Sequence, residues 1–235
     1  MPVVIAFQLF IHRQPLRTLW VRNSPRFHLD ALGVLFALLL MISPAYELVT
    51  TAARAPLMIK LYLVCSLVGA VGVAFALRHI RAALSGRALW PFGAALLVGT
   101  LTFALWAVSH GRSASIPANK LLPFLKIFLG YLVVSFVIEE VAFRGAFDSH
   151  VYQPIEGRRH EWLSAVFISA LWGIWHLPLV PLHGIAELVV VVPIIVLSHC
   201  LDGVFISLCW RRSGTLLLPS VYHSLIDAYR NILNG

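Results

Sequence analysis

Residues 185–209, IAELVVVVPIIVLSHCLDGVFISLC, set the terms for the whole chain. The run is too long and too apolar for a soluble strand or surface helix, and it exceeds the ~20 residues that a helix needs to cross a bilayer. Yet it carries Glu187, His199 and Asp202. A stretch of this kind predicts a transmembrane helix with ionisable groups at membrane depth.

Runs of the same character recur on both sides of it. The apolar pattern predicts spans near 30–50, 56–77, 88–109, 121–147, 162–182, 185–209 and 214–233. The fourth is long enough to extend beyond the hydrocarbon core or to break near its end. The composition agrees: 60% of the 235 residues are hydrophobic and 12% are charged, against ~45–50% and ~25% in a soluble domain. So few polar side chains cannot cover a globule in water, and the apolar excess excludes a disordered chain. The expected fold is all-α, a polytopic transmembrane bundle of about seven spans.

The formal charge is +8, but the basic residues sit in short clusters between apolar runs. That pattern fits an anionic membrane face, with the lipid bilayer as partner, rather than nucleic acid. Arg13, Arg17, Arg22, Arg26, Arg78, Arg81, Arg87, Arg158, Arg159, Arg211 and Arg212 fall on one side of a seven-span arrangement. Arg54, Lys60, Arg112, Lys120 and Arg230 fall on the other, while Lys126 and Arg144 lie inside span four. The bias puts the N-terminus in the cytoplasm of a bacterial or archaeal plasma (inner) membrane protein. The apolar stretch Val3 to Phe10 has no basic residue before it and no small-residue cleavage site after it, so it does not read as a signal peptide. Residues 1–28 are expected to lie on the membrane face as a basic segment. Spans 1–3 occupy 29–120, and 121–235 form a third unit. Cys65, Cys200 and Cys209 show no metal or redox spacing and are expected to be packing residues.

Ionisable side chains inside a membrane are costly and are functional candidates by default. Here they concentrate in the C-terminal half. Glu140 and Arg144, four apart, share a face and can pair, which leaves the adjacent Glu139 turned toward another surface. His176 stands in an aromatic helix, and His223 and Asp227 are again four apart. Each feature has a plain structural reading: a helix-end ion pair, a satisfied core histidine, a His–Asp pair joining two helices. Together, on three spans, they supply a general base, two imidazoles and further carboxylates in a place sheltered from water. Activation of a water against an amide needs such a set. The same groups can hold Zn²⁺, with His176, His223 and Glu139 as the candidate ligands. There is no HExxH and no GxSxG.

The segments EEVAFR (139–144), WGIWH (172–176) and HSLID (223–227), in this order on separate spans, resemble the CPBP intramembrane proteases, which include the CAAX prenyl endopeptidases and Abi-type immunity proteins. The family pattern is EExxxR, then FxxxH, then HxxxN or HxxxD. The resemblance covers about 121–235; residues 1–120 carry none. It implies a helical bundle around an internal cavity. It implies that Glu139 activates water with His176, that His223 and Asp227 stabilise the oxyanion, and that Arg144 orients Glu140 or the substrate. The family has been described both as metalloprotease and as metal-independent glutamate protease, so Zn²⁺ stays open. The implied substrate is a membrane-associated protein or peptide, processed at a CAAX tail, a leader or a C-terminal sorting segment. Two positions depart from the pattern. Trp172 replaces Phe, which keeps an aromatic ring and is expected to matter little. Asp227 stands where Asn is common, and a carboxylate donates no hydrogen bond unless protonated. Three other readings compete: a catalytically silent immunity or scaffold protein, a b-type haem carrier using His176, His199 and His223, and a transporter with a proton relay. His183 and His199 lie outside the motif positions.

Overall fold

The computed structural model describes residues 1–51, 53–152, 157–180 and 184–234. The architecture is an α-helical bundle. Helix α1 (Pro2–Ala6) runs on into a π-helical turn, Phe7–Ile11. It is followed by α2 (Ala31–Thr51), α3 (Leu57–Leu77), α4 (Gly86–Ser109) and α5 (Leu121–Ser135). Helix α5 continues as a π-helix, Phe136–Asp148. The last three helices are α6 (Gly157–Trp175), α7 (Ile185–Ser213) and α8 (Leu217–Asn234).

Five stretches are long and apolar enough to cross a membrane among the described residues: α2, α4, Ile59–Leu77 of α3, Ala118–Ser135 up to the end of α5, and Glu187–Ser213 of α7. Their outward faces carry Leu38, Val49, Leu97, Leu105, Val189 and Ile194, all exposed, as lipid-facing helices require. The predicted spans five and seven correspond to α6 and α8, which are helical but more polar. In α8 the polarity points inward: Ser220, His223 and Ser224 are buried along with Leu217, Tyr222, Ile226 and Ala228. Helix α8 packs against α4, α5, α7 and the π-helix. It is thus an interior helix with buried polar groups along it.

Helices α6 and α7 approach closely because each offers a glycine at the contact. A β-carbon at Gly203 would stand 2.8 Å from Ser169 Oγ, and one at Gly173 would stand 3.0 Å from Val196 Cα. This contact lays the His199 turn of α7 against Trp172 and His176.

The basic segments expected on one side of the membrane meet at one end of the bundle. Arg211 pairs with the buried Asp148 through both carboxylate oxygens and also donates to Glu161 O. Arg22 lies over the Trp210 ring, Arg212 over Trp90, and Arg78 donates to His28 O. Arg112 and Tyr229 join Leu233 and Ala114 elsewhere, tying the 112–114 turn to the C-terminal end of α8. The N-terminal segment is more than a surface leader: Val4, Leu19 and Val21 belong to the core. Arg22 N donates to Gly214 O and Leu216 N to Trp20 O, with Val21 bridged to Thr215. The cysteines are free thiols, and Cys209 packs in the core.

Candidate active site

The first motif lies on the π-helix, which sequence spacing alone does not announce. Its wider turn, with hydrogen bonds to the fifth residue along, is a feature seen at functional sites. Glu140 and Arg144 are both fully buried and remain partners, with Arg144 Nη1 donating to Glu140 Oε1 at 3.4 Å. The guanidinium lies under the Trp172 ring, 4.4 Å from its centroid. Glu140 Oε1 also accepts from His223 Nδ1 at 2.9 Å. Arg144 therefore orients Glu140, and Glu140 orients His223.

Glu139 projects elsewhere. Its Oε2 accepts the Trp172 indole N–H at 2.7 Å and faces His176 Nε2 and His223 Nε2, each at 3.7 Å. The other nitrogen of each ring is committed. His176 Nδ1 lies 2.8 Å from Trp172 O; a carbonyl only accepts, so Nδ1 carries the hydrogen and Nε2 is turned to Glu139. His223 Nδ1 is likewise held by a carboxylate. Three helices thus bring two Nε2 atoms to one carboxylate oxygen. His223 Nε2 is also 3.5 Å from Asp227 Oδ2, and Asp227 Oδ1 accepts from Arg230 Nη2 at 2.9 Å. All six predicted residues, Glu139, Glu140, Arg144, His176, His223 and Asp227, fall in one connected cluster.

A cavity of about 90 Å³ opens beside it, lined by His176, His199, Asp202, His223, Asp227 and Arg230 among others. His199 Nδ1 is bonded to Ile195 O, and its ring lies on His176 with centroids 4.4 Å apart. Rings in direct contact leave no place for a macrocycle between them, so this pair is not arranged as haem axial ligands. Asp202 accepts from Tyr222 OH. His183 lies outside the described residues.

Trp172 does more than keep an aromatic ring. Phe has no donor, whereas the indole holds the Glu139 carboxylate. The signal was in the sequence, since a Trp N–H at membrane depth needs an acceptor, but its partner is 33 residues away. Tyr222 and Arg230 were also not singled out, although Arg230 is three residues beyond Asp227 on the same helix. As for metal, no group of three His, Cys, Asp or Glu side chains among the described residues is arranged to hold an ion. The three residues of the expected zinc set face one another, with Glu139 Oε2 3.7 Å from each Nε2, and Oε2 also accepts the Trp172 N–H.

The chain thus combines a helical bundle with lipid-compatible faces and an acid–imidazole cluster inside it. Residues 120–229, which contain that cluster, match the type II CAAX prenyl endopeptidase Rce1-like family. The match, over just under half of the chain, supports a CPBP-family protease, and the apolar helices support an integral membrane protein. Comparison with curated proteins and with solved structures gives no match.

Proposed function

We propose that the protein is an intramembrane endopeptidase that cleaves a membrane-associated protein or peptide, of CAAX type, with a water activated by Glu139 and His176. The carrying observation is the single carboxylate oxygen of Glu139 facing two imidazole Nε2 atoms at 3.7 Å. That distance is too long for a direct hydrogen bond and suits a water seated against both groups. Glu139 takes a proton from this water as its oxygen attacks the scissile carbonyl carbon. The carbonyl oxygen becomes an oxyanion on the His223 side. In the imidazolium form His223 donates from both nitrogens, Nδ1 to Glu140 and Nε2 to the oxyanion. Collapse of the intermediate breaks the C–N bond, and the proton held by Glu139 passes to the leaving amine.

The shared end of Arg22, Arg211, Arg212 and Arg78 supports the cytoplasmic N-terminus and a seven-pass chain in which α6 and α8 also cross, in a bacterial or archaeal plasma membrane. The test is Glu139→Gln in purified protein in lipid, with a farnesylated, internally quenched peptide ending in a CAAX sequence. The amide keeps the size and removes the base, so kcat should fall by at least about 10²–10⁴-fold. Cleavage by the Gln variant at the parental rate refutes the assignment. A parental protein that cleaves nothing favours the silent-scaffold reading.

A further inference from the structure

The resemblance places an oxyanion-stabilising side chain at position 227, and this chain has an acid there. Alone, that acid opposes the reaction: a negative charge developing beside His223 would lie next to a second one, and like charges a few ångströms apart repel strongly where water is sparse. The structure supplies a counter-charge. Arg230, one turn further along α8, places Nη2 2.9 Å from Asp227 Oδ1, while Asp227 Oδ2 faces His223 Nε2 at 3.5 Å. Both residues line the cavity that His176 and His223 share. The other guanidinium of the cluster, Arg144, is fully buried against Glu140 and cannot serve Asp227. Among the described residues, the ion-pair partners of Asp227 are His223 and Arg230, and the phenols of Tyr62 and Tyr222 also face it but bring no positive charge. The Asp227 side chain is 14% exposed and that of Arg230 41% exposed, so the pair spans from the site to the cavity mouth.

We propose that Arg230 is a positioning residue that neutralises Asp227, so that an acid can occupy a place where Asn is common. It acts through Asp227 and need not touch the substrate. The inference rests on the peptidase reading above. It predicts an asymmetry that a packing role does not. Removing the arginine charge should damage the enzyme only while residue 227 is an acid; once 227 is Asn, which has no charge to neutralise and carries its own N–H donors, Arg230 should become dispensable.

The experiment is a double-mutant cycle on kcat and KM with the same quenched peptide, using Arg230→Gln, Asp227→Asn and the double variant, with parental and Glu139→Gln protein beside them. Arg230→Gln should lower kcat by about 10–100-fold with little change in KM, and Arg230→Lys should restore most of it. Asp227→Asn should stay within about tenfold of parental, and the double variant within about threefold of Asp227→Asn. Arg230 is only partly buried, so a monodisperse elution profile for each variant is the expected control. Parental kcat in Arg230→Gln overturns the proposal. So does an equal loss in the Asn background, or a rise in KM alone, either of which would make Arg230 a substrate contact. If Glu139→Gln is fully active, or the parental protein does not cleave, the peptidase reading fails, and this inference with it. Failure of the cycle with an active parental protein and a dead Glu139→Gln variant removes the Arg230 inference only.

Discussion

Trp172→Phe isolates one hydrogen bond. The substitution keeps an aromatic ring under which Arg144 can remain, and removes the indole N–H that meets Glu139 Oε2 at 2.7 Å. No other hydrogen-bond donor to the Glu139 carboxylate occurs among the described residues, since both imidazole nitrogens stand off at 3.7 Å. A hydrogen bond to a charged group contributes about 1.5–3 kcal/mol. If that energy holds Glu139 in the attacking position, its loss corresponds to a fall of about 10–100-fold in kcat/KM, at 1.36 kcal/mol per decade. Part of the ring over Arg144 also goes, so thermal stability should drop slightly while the protein stays folded and monodisperse. The assay is steady-state cleavage of the quenched peptide in lipid, with circular dichroism on the same preparation. Phe is the residue of the family pattern at this position, which sharpens the test. If the Phe variant keeps the parental kcat/KM, the indole is a packing group and Glu139 is held by something other than this bond.

Two further outcomes follow from the same geometry. His176→Ala and His223→Ala should each lower kcat by at least about 10²-fold, whereas His199→Ala should cost about tenfold or less in the peptide assay, because His199 touches His176 by ring contact alone; an equal loss at His199 would make it a full member of the catalytic set. Asp148→Ala should destabilise the fold by about 3–5 kcal/mol, since it strands the buried Arg211 guanidinium; an unchanged midpoint of heat inactivation would show that the charged end does not hold the bundle together.

What the sequence shows about this protein depends on how far apart the interacting residues lie. The helical class was legible from runs such as 185–209, because a bilayer demands length and apolarity that any reader can count. The six site residues were legible as types at spacings, and the structure brings them together. The winding of Phe136–Asp148 was not, because a π-helix has no compositional mark and the reasoning about which side Glu139 faces assumed an α-helical turn. Nor was the anchoring of the N-terminal segment, where Leu19 O comes against Gly145 and Arg22 reaches the 210–214 turn. A basic stretch looks the same whether it lies on lipid or crosses the core. The polarity of α8 shows the limit most clearly. Hydropathy sees Ser220, His223, Ser224 and Asp227 as weakening a span, whereas burial shows them as the lining of the interior.

The cluster also explains itself by its charges. Four carboxylates, Glu139, Glu140, Asp202 and Asp227, stand close together in a medium that penalises every uncompensated charge. Glu140 has the Arg144 guanidinium and a histidine N–H. Asp227 has Arg230. Asp202 has the Tyr222 hydroxyl. Each of these acids has a hydrogen-bond donor that does not take part in the proposed proton transfer. Glu139 alone faces a neutral indole and two imidazole nitrogens whose protonation can change. Of the four, it is the one that faces both imidazole Nε2 atoms, and it can take up a proton and give it back without breaking a salt bridge to Arg. A general base must do that in every cycle. By the same logic, Glu140→Gln should act through His223 rather than through the water. It removes the charge that holds Nδ1–H and Arg144, and so should weaken oxyanion stabilisation and bundle stability together, whereas Glu139→Gln removes turnover alone.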